Sequence, residues 1–386
     1  MKLPRGVIAL GLVSLTMDLS SEMIHSLLPV FLVTVLGASA LSVGFIEGIA
    51  EATAAIAKVF SGVISDWIGR RKPLVLLGYG LAALTKPLFP LATGITAVLT
   101  ARFLDRIGKG IRGAPRDALI ADLTPKAQRG AAYGLRQALD TVGAFAGPLA
   151  AMGLMAASHD DFRLVFWVAV LPAVACVLLI LFGVEEPEAT RPPAQARFPI
   201  SRASLAQLPS RFWWVVAFAA VLTLARFSEA FLLLRAENAG LAATWVPLIL
   251  IVMNLVYAAS AFPFGKFSDN ASRRSLLVWG VLFLIAADIV LALAANAWAV
   301  GLGAAIWGLH MGATQGLLSA LIADAAPASL RGTAFGVFNL VSGAALLAAS
   351  VIAGSLWTWL GPAATFYAGA AFSLVALAGL IIGGRT

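Results

Sequence analysis

One cysteine, three histidines and four tyrosines among 386 residues leave little material for several kinds of chemistry. A lone Cys176 forms no intrachain disulfide, and no cysteine framework for a metal exists. Charge is scarce too: Asp, Glu, Lys and Arg make up 12% of the chain, against about 25% in soluble proteins. No glycine-rich cofactor loop, nucleophile elbow or HExxH pair is present, so neither an enzyme nor a cofactor is expected. A secretory signal peptide is not expected either. The first apolar run, residues 7–36, is too long for one and lacks a cleavage pattern.

Apolar sequence is what the chain has in excess. Hydrophobic residues reach 60% and are spread along the whole length. Apolar stretches recur, and about 20 such residues cross a ~30 Å hydrocarbon core as a helix. The pattern predicts twelve helices, at 6–36, 41–65, 73–92, 96–121, 129–156, 163–183, 211–236, 244–267, 274–294, 297–323, 331–356 and 362–383. The formal charge of +8 resides mostly in alternate short loops, which is the orientation signal of a multi-pass membrane protein rather than a nucleic-acid surface. Sixteen basic residues fall on one side of these helices and only Arg163 on the other. This places both termini and the middle loop in the cytoplasm. The polar stretch 185–210 reads as a linker between a bundle at 1–184 and one at 211–386.

The two halves repeat. Ser65-Asp66-Trp67-Ile68-Gly69-Arg70-Arg71 returns as Ser268-Asp269-Asn270-Ala271-Ser272-Arg273-Arg274. Ala118-Leu119-Ile120-Ala121-Asp122 returns identically as Ala320-Leu321-Ile322-Ala323-Asp324, and Arg129-Gly130 as Arg331-Gly332. Six-helix repeats of parallel sense characterise one large group of transporters.

On these residues the chain resembles the major facilitator superfamily over essentially its full length. Gly62, Asp66, Gly69, Arg70 and Arg71 match the family's helix 2–3 loop motif, with a degraded copy from Gly265 that contains Asp269 and Arg273. In the family this loop latches the cytoplasmic gate, and Arg112, Arg116 and Asp117 are expected to contribute to that gate or to fixed ion pairs. Gly143, Gly147 and Pro148 look like the family's antiporter motif, which marks exporters. Arg102 takes the place of the family arginine implicated in proton transfer, although Asp105, Arg106 and Lys109 depart from the usual pattern. The resemblance implies an all-α fold of two pseudo-symmetric six-helix bundles, alternating access, a monomer, and residence in a bacterial inner membrane with small solutes, protons and lipid as its partners.

Ionisable residues inside a membrane are functional candidates by default. Asp18, Glu22 and His25 share one face of the first helix, at spacings of four and three. Glu47, Glu51 and Lys58 share a face of the second, and Asp288 lies on the ninth. A central network is expected, with Asp18 and Glu22 against Arg102 and Arg106 and Asp105 between them. Glu22 leads as the proton-coupling residue, followed by Asp105 and Asp18, because a buried carboxylate can bind and release a proton near neutral pH. Asp18, Glu22, His25, Glu51, Arg106, Glu229 and His310 are the candidate substrate contacts. The favoured function is proton-coupled export of a small organic solute. One alternative is export of Fe, Ni or Co on Asp18, Glu22 and His25. Another is transport of an organic anion or phosphate ester, with Arg102, Arg106 and Lys109 as the clamp.

Overall fold

The computed structural model describes residues 3–68, 70–125, 128–186, 205–270, 273–327 and 330–382. The described residues are almost wholly helical. Sixteen α-helices follow one another: α1 Arg5–His25, α2 Leu28–Thr34, α3 Ala40–Ile68, α4 Lys72–Thr85, α5 Leu88–Leu91, α6 Ile95–Leu123, α7 Arg129–Ala157, α8 Phe162–Val168, α9 Val170–Gly183, α10 Ser210–Ala225, α11 Ala230–Asn238, α12 Leu248–Asn270, α13 Arg273–Leu293, α14 Ala297–Ala325, α15 Arg331–Leu360 and α16 Pro362–Ile382. Ten stretches among the described residues are long and apolar enough to cross a membrane. Two further helices of 29 residues, α6 and α14, complete the set of long helices.

Four of the expected spans are each broken into two shorter helices. The first breaks at Ser26–Leu27 and the third at Lys86–Pro87, where the proline lacks the N–H that would continue the ladder. The sixth breaks at Ala169. The seventh breaks at Arg226, whose φ of −105° and ψ of 65° leave the helical region, and Ser228 Oγ then accepts from Ala230 N.

The chain divides into two compact units. One comprises 1–31 and 53–198, the other 32–52 and 199–386, so α3 contributes to both. In the first unit α1 packs chiefly along α7 and α9, and α4 along α6. Val7, Leu10, Val13, Met17, Val75, Tyr79 and Cys176 form a fully buried apolar cluster there. In the second unit α13 packs on α14 and α16, and α12 on α14. Helix ends are closed by specific groups. Both oxygens of Glu186 accept from the N-terminus of α4, at Arg71 N (2.7 Å) and Lys72 N (2.8 Å), where a carboxylate also meets the positive end of the helix dipole. Arg163 of α8 donates to the carbonyls of Pro90 and Ala92 at the end of α5. Arg235 of α11 does the same for Leu291, Ala292 and Ala294 at the end of α13.

Near helix ends, where tryptophans anchor at membrane interfaces, Trp213, Trp245, Trp298 and Trp359 are exposed. Trp357 instead packs against Phe231 and Phe366 in an aromatic cluster.

Candidate functional site

The charged centre of the first unit differs in its pairing from the expected network. Helical spacing shows which residues share a face but not which helix that face meets. The principal neighbour of α1 is α7, not α6. Asp18 therefore faces Asp140 of α7, carboxyl against carboxyl. Asp140 is itself held as an acceptor, by Arg136 at 2.9 Å and with Arg116 at 3.9 Å. Two ionised carboxylates side by side repel, and a proton shared between them relieves that repulsion.

Glu22 turns the other way. Its Oε2 lies 3.3 Å from His25 Nδ1, one turn along the same helix. Arg106 and Lys109 act on it electrostatically from α6. Asp105 is bound to a partner that the expected network did not contain. Lys86, at the break after α4, brings Nζ to 2.9 Å from Asp105 Oδ1 and 3.0 Å from Ser21 Oγ, with both charged side chains almost completely buried. Arg102 and Arg106 flank the same carboxylate. In this arrangement Arg102 and Arg106 lie beside Asp105, and Asp18 lies beside Asp140.

The remaining charges extend this cluster along α6 and α7. Arg112 stacks over the Tyr79 ring at 4.4 Å. Arg116 donates to Ser14 Oγ, Tyr79 Oη and Asp117 Oδ1 at 3.1–3.3 Å. Tyr133 Oη donates to the Asp117 carbonyl at 2.7 Å. Each additional partner offsets the cost of a buried charge.

The glycines of the proposed antiporter motif lie directly against the acidic face of α1. A side chain at Gly143 would stand 2.5 Å from the Leu15 carbonyl and 3.1 Å from Asp18 Cβ. One at Gly147 would stand 2.6 Å from Glu22 Cβ. Only glycine permits this approach, and Pro148 follows within α7. Nothing in the sequence alone ties this motif to Asp18 and Glu22; the contact does.

Of the loop motif, Gly62 packs near Ala114. Arg70 is exposed. Arg71 donates to Ser65 Oγ (2.6 Å) and Asp122 Oδ2 (3.5 Å). Gly69 lies outside the described residues, as do the side chains of Asp66, Asp269 and Arg273.

Glu51, Glu229 and His310 belong to the second unit. There, Glu229 and Tyr257 act electrostatically on Arg226 at the break between α10 and α11. His310 is fully buried, and its Nδ1 lies 2.7 Å from the Gly280 carbonyl. No three His, Cys, Asp or Glu side chains gather as a metal site among the described residues. Asp18 faces Asp140 instead of joining Glu22 and His25.

Sequence reasoning missed three participants: Lys86, Ser21 and the role of Asp140. Lys86 was legible in principle, as a lysine inside the apolar stretch 73–92. Asp140 was visible as a charge but not as a partner of Asp18.

The model of the Major Facilitator Superfamily matches residues 10–248 and 227–385. An uncharacterized MFS-type transporter of Methanocaldococcus jannaschii is 31% identical over 380 residues, covering 97% of this chain and 94% of its own length. The class C tetracycline resistance protein of Escherichia coli is 29% identical over 345 residues, covering 83% of this chain and 81% of its own. Among solved structures, the nucleoside transporter NupG superposes with a TM-score of 0.80 at 13% identity, over 98% of this chain and 99% of that one, which shows a shared fold.

Proposed function

Because the chain belongs to the major facilitator superfamily and is a multi-pass membrane transporter, we propose that it is a proton-coupled exporter of a small organic solute. The observation that carries this reading is the Asp18–Asp140 carboxyl pair seated against Gly143. A proton held between two carboxyls is a load that can be released. If the helices part, Asp18 loses its acceptor and meets water, and its proton leaves. If they close, the pair is restored only with a proton. Loading is thereby tied to the packing of α1 on α7, which a carrier alternating between two arrangements changes. Lys86 and Asp105 have the opposite character, since a fully matched ion pair needs no proton and fixes α4 to α6. We therefore assign coupling to Asp18 and Asp140, a positioning role to the Lys86–Asp105–Ser21 contact, and solute contact to Glu22 and His25. The similarity to a tetracycline resistance protein supports export, and the loop charges support a bacterial inner membrane with both termini cytoplasmic.

The reading is tested in inside-out vesicles carrying a respiratory pH gradient, followed with a pH-sensitive dye. Adding a transported solute, with tetracycline first in a panel of organic cations and anions, collapses part of the gradient. Asp18→Asn abolishes that collapse. A variant that still dissipates the gradient on adding solute removes Asp18 from the coupling step.

A further inference from the structure

The geometry points to Asp288 as a second proton-binding site, in the half of the molecule to which sequence reading gave no coupling role. It rests on the proton-coupled reading above and extends it to the second unit.

The repeat locates the residue. The offset of 202 that relates Ala118–Asp122 to Ala320–Asp324 also holds in three dimensions. Gly78 of α4 packs on Arg112, and Gly280 of α13 packs on Thr314, each partner 202 residues on. Arg163 and Arg235 close helix ends at Pro90 and Ala92 and at Ala292 and Ala294, again 202 apart. By the same offset the counterpart of Lys86 is Asp288, and that of Asp105 is Trp307. One half places a lysine opposite an aspartate. The other places an aspartate in the lysine's position and an indole where the lysine's partner would be.

The consequence is a carboxyl group without an ionic partner. Asp288 is 0% exposed, and neither of its carboxyl oxygens has a hydrogen-bond partner among the described residues. Gly369 of α16 leaves room for the group: a side chain there would lie 2.7 Å from Asp288 Oδ2 and 3.0 Å from the Phe227 ring. Phe227 in turn packs on Trp307, Phe231 and Phe366, all buried. Among the described residues, the elements around α13 bring no charged side chain into hydrogen-bond reach of Asp288. α16 contains no charged residue. α14 brings His310, bound to the Gly280 carbonyl two turns away, and Asp324 near its end. α12 carries Tyr257, Lys266 and Asp269, and the break before α11 carries Arg226 and Glu229. Among the described residues no ion pair to Asp288 forms, and Arg235 binds backbone carbonyls.

An ionised carboxylate buried among aromatic rings is the most costly form this side chain can take, and the neutral acid the least. Buried at 0% exposure beside Gly369 and Phe227, the group is one for which the proton is the ligand that fits. In the arrangement seen, the site is loaded. Release requires α16 or Phe227 to move off the carboxyl and admit water.

Infrared spectroscopy of the purified, reconstituted protein tests this directly, because a protonated carboxyl absorbs apart from carboxylate and amide. Wild type at neutral pH is expected to show, beside any contribution from the Asp18–Asp140 pair, a carboxylic-acid carbonyl component that Asp288→Asn removes and Asp18→Asn leaves, with the Asp288→Asn variant melting at or above the wild-type temperature. Gly369→Ala, which presses a methyl against Oδ2, is expected to shift the same band and serves if Asp288→Asn does not fold. A carboxylic-acid band unchanged in both Asp288→Asn and Gly369→Ala overturns the proposal. The spectrum reads the proton independently of transport. Failure of gradient-driven exchange in wild type would therefore sink the coupling reading while leaving this site standing, and a band insensitive to Asp288→Asn and Gly369→Ala would do the reverse.

Discussion

Removing the Lys86 ammonium strands the Asp105 carboxylate in a place almost closed to solvent. Breaking a buried pair from one side costs about 3–5 kcal/mol, whereas removing both partners costs less, because no charge is left unmatched. Lys86→Ala is therefore expected to lower unfolding stability in detergent by that order, and Lys86→Ala combined with Asp105→Ala to recover part of the loss. Single and double variants with equal losses would show that the 2.9 Å contact does not stabilise the fold. The charges themselves were legible from the sequence, since an ionisable residue in an apolar stretch stands out. Their partners were not. Asp18, Glu22 and His25 lie on one face by spacing, yet Asp18 turns to Asp140 and Glu22 to His25. That choice depends on which neighbouring helix lies against each turn of α1, and no local pattern encodes it.

At the scale of elements, close helix approach and closed helix ends decide what can be changed. Gly143→Val forces a branched side chain onto the Leu15 carbonyl, 2.5 Å from where its first carbon would stand, and pushes α7 away from Asp18. This variant is expected to lose gradient-driven exchange, while Gly153→Val, on the same helix with open space around it, keeps it. Equal behaviour of the two in the vesicle assay would detach the motif from coupling. Glu186 offers a second test. Its removal leaves the first N–H groups of α4 unpaired, and losing a cap of this kind costs about 0.5–2 kcal/mol. Glu186→Ala is expected to show a loss of that size by chemical unfolding. The break at Lys86–Pro87 was readable from its proline. The break at Arg226 carries no proline, and Glu186 looked like linker, because a cap joins residues 71 and 186 that only the fold brings together.

For the whole molecule, the two-half repeat was the most legible feature, since identical strings recur at a constant offset. What the offset relates, Lys86 with Asp288 and Asp105 with Trp307, shows that the halves share a frame and differ in their ionisable contents. The orientation proposed from loop charge has its own test. In a Cys176→Ser background, a cysteine at exposed Ser39 is expected to react with an impermeant maleimide in intact cells, and one at exposed Arg70 only after lysis. The reverse pattern would invert the topology. The central claim, that export is coupled to protons through the Asp18–Asp140 pair, is tested most directly by proton movement itself. In proteoliposomes loaded with a solute identified in the vesicle screen, an imposed pH gradient should drive that solute against its concentration in wild type. In Asp18→Asn it should leave only gradient-independent solute–solute exchange. Uphill movement that persists in Asp18→Asn would contradict the account.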